Sequence, residues 1–160
     1  MEIRIANFDV LTKHYNPFIE GKREIHEVKN KFLAKIDPLR KEMESIIQSA
    51  QSGLIVDKNS EQIRMEKFRK LQEEAIAFDN EFKVEFKRMN DELNVKVYDQ
   101  LESIISEWCQ KNGIDLVLGK IEVVFVRPEF EITDTILEVL KEKELFVELP
   151  KPSETEKESV

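Results

Sequence analysis

The chain is short of nearly everything that catalysis or cross-linking needs. Among its 160 residues are one cysteine, two histidines, four glycines and five prolines. Cys109 has no partner for an intramolecular disulfide and is too little for a cysteine-based zinc site. His14 and His26 stand 12 residues apart with no third ligand at helical spacing, so they read as surface or junction histidines, with no metal implied. Gly21-Lys22 lacks the upstream glycine of a phosphate loop, and Gly119-Lys120 reads as a turn, so neither implies a nucleotide. No apolar run approaches the ~20 residues that span a bilayer, so stable membrane insertion is not expected. Basic residues are in deficit: 25 Lys and Arg face 33 Asp and Glu, a net charge of -8, which argues against nucleic acid as a partner. With no nucleophile, metal or cofactor constellation left, an enzyme is not expected and cofactors are none.

What is present is charge and helical periodicity. Charged residues make up 36% and apolar ones 41%, the balance of long helices with solvated outer faces and one apolar seam. Ile25, Val28, Phe32, Ile36, Leu39, Met43, Ile46 and Ala50 are separated by 3, 4, 4, 3, 4, 3 and 4 residues, a coiled-coil spacing. Pro38 interrupts it chemically, since it lacks an N–H and crowds the preceding turn, so a kink or hinge is expected there. The pattern stops near Gly53, and Asp57-Lys58-Asn59-Ser60 reads as a turn into a second helix, with Asn59 or Ser60 as its N-cap. Phe68, Leu71, Ala75, Phe78, Phe82, Phe86, Met89, Leu93, Val97, Leu101, Ile104 and Trp108 then recur at intervals of 3 or 4 until Asn112-Gly113. Two such helices imply an antiparallel arm over residues 18–111, its tip near 51–59.

The flanks read as strands. Alternation from Ile3 to Val10 suits a short half-buried strand, residues 11–15 a helical turn, and Asn16-Pro17 a stop. Ile114-Asp115-Leu116-Val117-Leu118 and Glu122-Val123-Val124-Phe125-Val126 read as a hairpin turning at Gly119-Lys120, and Thr133 as the cap of a last helix. Residues 1–17 and 112–142 thus form a β body, and 150–160 a disordered tail. The fold class is α+β, mostly α. A sheet of about three strands with apolar residues on both faces is marginal alone, which predicts that several copies pool their strands through Ile3, Ile5, Leu116, Leu118, Val124 and Val126.

The run Gly113-Ile114-Asp115-Leu116-Val117-Leu118, then Val123-Val124-Phe125-Val126, Glu131-Ile132-Thr133-Asp134 and Ile136-Leu137-Glu138-Val139-Leu140, resembles the C-terminal signature of the Skp/OmpH family. Ile3-Arg4-Ile5-Ala6-Asn7-Phe8 is similar to that family's first strand, and the Phe-rich second helix to its returning arm helix. The resemblance implies a trimeric jellyfish in which a shared β-barrel carries three helical arms around a cavity. It further implies an ATP-independent holdase that shields unfolded outer-membrane-type proteins. Such a protein is periplasmic if a signal sequence has been removed, and cytoplasmic if the chain as written is complete.

Candidate client contacts are Leu54, Ile55 and Val56 at the tip, and Phe82 and Phe86; a plug of the seam's end is the favoured role for the first three and the seam itself for the two Phe. The alternative function is a trimeric structural or assembly scaffold, cytosolic or virus-encoded, with the same fold. A prefoldin-like subunit fits less well, because there the strands lie between the two helices and here they flank them.

Overall fold

The computed structural model describes residues 1–52 and 57–150. Its elements are β1 (Ile3–Ala6), α1 (Phe8–His14), α2 (Asn16–Gln51), α3 (Lys58–Asn112), β2 (Leu116–Gly119) and α4 (Thr133–Glu142), with 3₁₀ turns at Lys120–Glu122 and Pro128–Phe130. The chain divides into two units, a terminal unit of Met1–Lys22 with Glu92–Val160 and a hairpin unit of Arg23–Asp91, so each long helix contributes to both.

In the terminal unit β1 is only four residues long, because Asn7 already caps α1: its side-chain Oδ1 accepts from the Val10 N–H at 3.3 Å. The expected strand through Val10 is therefore half helix. α1 stops at Tyr15, which is extended, and Pro17 falls in the first turn of α2, where its missing N–H has no helical partner to lose. The last helix also departs from expectation. Thr133 is its first residue rather than its cap, and its Oγ1 accepts from the Asn7 N–H at 2.9 Å, joining the starts of two helices 126 residues apart.

The hairpin expected at Gly119-Lys120 does not form. β2 pairs with β1 in parallel, Ile3 opposite Leu116 and Ala6 opposite Gly119, after a crossover through all three preceding helices. Beyond Gly119 the chain turns through Lys120–Glu122, and residues 123–127 run without a strand partner. Glu122 to Val126 has the composition of a strand, but Lys120–Glu122 coils as a 3₁₀ turn in place of the tight turn that would fold it back onto β2, and both edges of β1 are taken, by β2 and by a bridge between Ile5 and Glu131. The two-stranded sheet therefore keeps one open edge, on β2.

The core of this unit gathers Ala6, Leu11, Tyr15, Val97, Leu101, Ile104, Ile105, Cys109, Ile132, Ile136 and Leu140, with Trp108 packed against it. The last turns of α3 are thus part of the core. They end at Gly113, whose φ of +67° allows the Ile114 N–H to reach the Cys109 carbonyl at 3.0 Å. Gly21 of α2 admits a close approach to Leu93 of α3, since a Cβ built there would stand 2.3 Å from Leu93 Cδ1. Residues 145–147, which no periodicity marks, return to the core: Phe146 bridges Tyr15 and the Val147 N–H donates to the His14 carbonyl at 2.8 Å.

In the hairpin unit the helices run antiparallel. Phe32 packs against Phe82 with rings tilted and centroids 4.7 Å apart and meets Phe78 edge-on at 6.1 Å, while Lys67 pairs with Glu42 at 2.6 Å. The apolar repeat of α2 is the buried face: Ile25 and Ile36 are buried, and Val28, Phe32, Leu39, Met43 and Ile46 are half-buried. Ala50 is the exposed exception. α2 continues unbroken through Pro38. α3 is capped by Asp57 rather than by Asn59 or Ser60: Asp57 Oδ1 accepts from the N–H groups of Asn59 at 2.9 Å and Ser60 at 3.0 Å. The Ser60 hydroxyl donates to the other oxygen at 2.9 Å.

Candidate interaction surfaces

Each unit exposes apolar side chains that its own core leaves uncovered. In the terminal unit an open groove of about 830 Å³ lies between residues 114–122 and the face of α3 that presents Tyr98, Glu102, Ile105, Ser106 and Cys109, with Phe8 at one end. Its wall on the β2 side is an unpaired strand edge, a template for pairing with another strand. Beside it the side chains of Ile121, Val124 and Phe125 are 92%, 106% and 82% exposed.

Two anchors turn these side chains outward. Lys120 Nζ donates to both carboxylate oxygens of Glu131 at 2.8 Å, closing the base of the segment between them. That bond chiefly holds the Glu131 carboxyl below the usual range, so it stays ionised. At the far end the Ile132 N–H donates to the Ile5 carbonyl at 2.8 Å and returns the chain to β1. Between these anchors Val123, Val126 and Phe130 are half-buried, and the other residues from Ile121 to Glu129 lie exposed.

The residues expected at a trimer contact fall into two groups. Strand alternation places Ile3, Ile5, Leu116 and Leu118 on the sheet face opposite Ala6 and Val117, which meet the helical core. Ile5 is already buried by its own chain, while Leu116 is exposed. Val124 and Val126 belong to the unpaired segment, Val124 fully exposed and Val126 half-buried.

In the hairpin unit Phe82 lies in the seam between Phe32 and Phe86, whereas Phe86 is 38% exposed. Leu33, Ile47, Ile63, Met65, Ile76 and Val84 are also exposed. Leu33, Ile47 and Val84 are recognisable in the sequence by falling off the seam spacing, and the same signal marks Ile63 and Ile76, whereas Met65, three residues before Phe68, keeps that spacing and Ile121 lies outside both seams. Leu54, Ile55 and Val56 lie outside the described residues.

Cys109 and His14 are held within the terminal unit. Burial pushes the Cys109 thiol up, which keeps it protonated and unreactive. His14 donates from Nδ1 to the Val147 carbonyl at 2.9 Å and stacks on Phe146. Among the described residues no group of three or more His, Cys, Asp or Glu is placed to hold a metal, and no helix is long and apolar enough to cross a membrane.

The family model described as "Outer membrane protein (OmpH-like)" matches residues 2–140. A crystal structure of an OmpH-like protein from Caulobacter crescentus CB15, solved as a candidate outer membrane chaperone, superposes with a TM-score of 0.66 at 14% identity. The match covers 93% of this chain and 89% of that one, a likeness of fold. No curated protein sequence is significantly similar to the chain.

Proposed function

Since the chain belongs to the OmpH-like outer membrane protein family, we propose that it is an ATP-independent holdase chaperone that shields unfolded outer-membrane-type polypeptides in the periplasm. The observation that carries this reading is the set of large apolar side chains, Leu33, Ile47, Ile63, Met65, Ile76, Val84 and Phe86, exposed on an otherwise charged helical hairpin. Their number exceeds what a closed two-helix seam uses, and scattered apolar contacts suit a disordered chain better than a folded surface.

The working form is a homotrimer. The open edge of β2 and its groove in one copy complement the exposed Val124 and Phe125 of the next. Groove and segment are different surfaces of one chain, so the contact is heterologous and closes only as a ring. Three hairpins on one pooled sheet bound the cavity in which a client is held.

The test is to dilute an unfolded β-barrel outer membrane protein into buffer with and without the chain, in the absence of nucleotide, while recording the mass of the chaperone by light scattering. Suppressed aggregation by a species of three chains is expected. A trimer that suppresses nothing would leave the scaffold function in its place, and a stable helical monomer at micromolar concentration would remove the cavity.

A further inference from the structure

Where α2 ends and α3 begins, the hairpin unit contains a second groove, of about 410 Å³, lined by Ile46, Ile47, Ala50, Glu61, Arg64, Met65 and Phe68. We infer that this groove receives single large apolar or aromatic side chains of an unfolded polypeptide, selected for bulk and without regard to the polypeptide's charge.

The hollow has a cause in the sequence. The α2 seam places Ile or Leu, Val, Met or Phe at each of its earlier positions and then a methyl group at Ala50, so the last interval of the seam lacks a side chain's volume opposite Phe68. Ala50 is exposed, and Met65 and Ile47 beside it are 68% and 45% exposed. Met65 is unbranched and polarizable, which lets one wall adapt to aliphatic or aromatic guests.

Charge identifies the class of guest. The rim carries one acid, Glu61, and one base, Arg64, three residues apart. The whole unit Arg23–Asp91 is balanced in the same way, with 14 of the 25 basic and 14 of the 33 acidic residues of the chain. Much of that charge is paired along the helix, as in Glu66 with Lys70, Arg69 with Glu73 and Asp79 with Lys83. Neither sign of client gains by approaching such a surface, so apolar bulk is what remains to discriminate.

The inference rests on the client-binding reading above and can fail separately from it. Fluorescein-labelled unstructured peptides with the same Leu and Phe content and net negative, zero or net positive charge are titrated into the full chain, Ala50→Gln and Met65→Gln. Both sites are exposed, so melting is expected to stay unchanged. Each variant should bind every peptide about tenfold more weakly, and the charge series should agree within about threefold at physiological salt, where the excess negative charge outside the hairpin unit is screened. Unchanged affinity with unchanged melting places the contact elsewhere and overturns the inference. A fall in melting with unchanged affinity shows a groove covered by the chain itself and overturns it equally. A strong, salt-sensitive preference for one sign of charge removes the selectivity claim. If the unsubstituted chain binds no peptide, the holdase reading falls with it.

Discussion

The two units bury apolar surface in different ways. The terminal unit draws eleven core residues from β1, α1, α3, α4 and the segments between them, including Leu11, Leu101, Ile136 and Leu140, which are completely enclosed. In the hairpin unit only Ile25, Ile36 and Leu71 are buried among the described residues, and the rest of the seam is half covered. A three-dimensional core removes a side chain from water on all sides, whereas a line between two helices covers one side of each. The hairpin's stability is therefore local and additive, and its uncovered flanks are where apolar side chains remain free for another chain. Its aromatic contacts, Phe32 with Phe78 and Phe82, are each worth only about 0.5–1.5 kcal/mol beyond the area they bury. The exposed ion pairs contribute about 0–1 kcal/mol each.

Matched truncations give the sharpest test of this contrast. Leu101→Ala empties a fully enclosed site and is expected to cost about 3–5 kcal/mol and to lower cooperative melting of the whole terminal unit. Leu71→Ala, at a site 9% exposed on a seam that can close, should cost about 2 kcal/mol. Hydrogen exchange should then show protection lost around residue 71 alone, with the terminal unit unchanged. Equal costs and equally global exchange in the two variants would mean that the units unfold as one.

Much of the helical hairpin was legible because its information is local. An interval of 3 or 4 recurs from Ile25 to Ile46 and from Phe68 to Trp108, and each position can be read without knowing any other contact. The strands were not, because pairing is decided at a distance. Glu122 to Val126 is composed like a strand, but the edges of Ile3–Ala6 go to Leu116–Gly119 and Glu131, and the 3₁₀ turn at Lys120–Glu122 does not return the chain onto the remaining edge of β2. Leu145, Phe146 and Val147 carry too little pattern to be recognised before Tyr15 and His14 are known to receive them. The caps lie one to three residues from their expected places because of competing partners: Thr133 is taken by Asn7 from across the fold, while Asp57, close to both candidates, has two oxygens where Ser60 has one.

Pro38 sharpens the contrast at the next level of effect. α2 continues through it, but the proline cannot donate to the carbonyl of Ala34, and the helix is held there mainly by Ile36 and Leu39 in the seam. We propose that this is the hinge of each hairpin. Pro38→Ala restores the hydrogen bond and should stabilise the hairpin unit by up to ~3 kcal/mol while leaving the terminal unit's exchange unchanged. Spin labels on different hairpins of the assembled protein should show a narrower distance distribution in the variant. An unchanged distribution with raised melting would leave Pro38 a cost in stability with no part in motion.

The smallest effect is at the Asp57 cap. Its carboxylate is fully exposed, and the hydrogen bonds from Ser60 and Asn59 are what hold it below the ordinary range of an aspartate. A group whose folded pKa is depressed contributes its stability above the unfolded pKa, about 3.9, and loses it as pH falls through the folded value. The first turn of α3 should therefore be protected at neutral pH and fray progressively below about pH 4. Asp57→Asn keeps an oxygen that can accept from the same two N–H groups and removes the titration, so its first turn should be no better protected at neutral pH and should lose nothing on acidification. Asp57→Ala should fray at every pH. Hydrogen exchange of Lys58 to Ser60 across this range measures all three. Acid fraying of equal size in Asp57→Asn would assign the effect to other carboxylates, Glu61 in the same turn being the nearest in sequence, and would remove Asp57 as the residue that starts the helix.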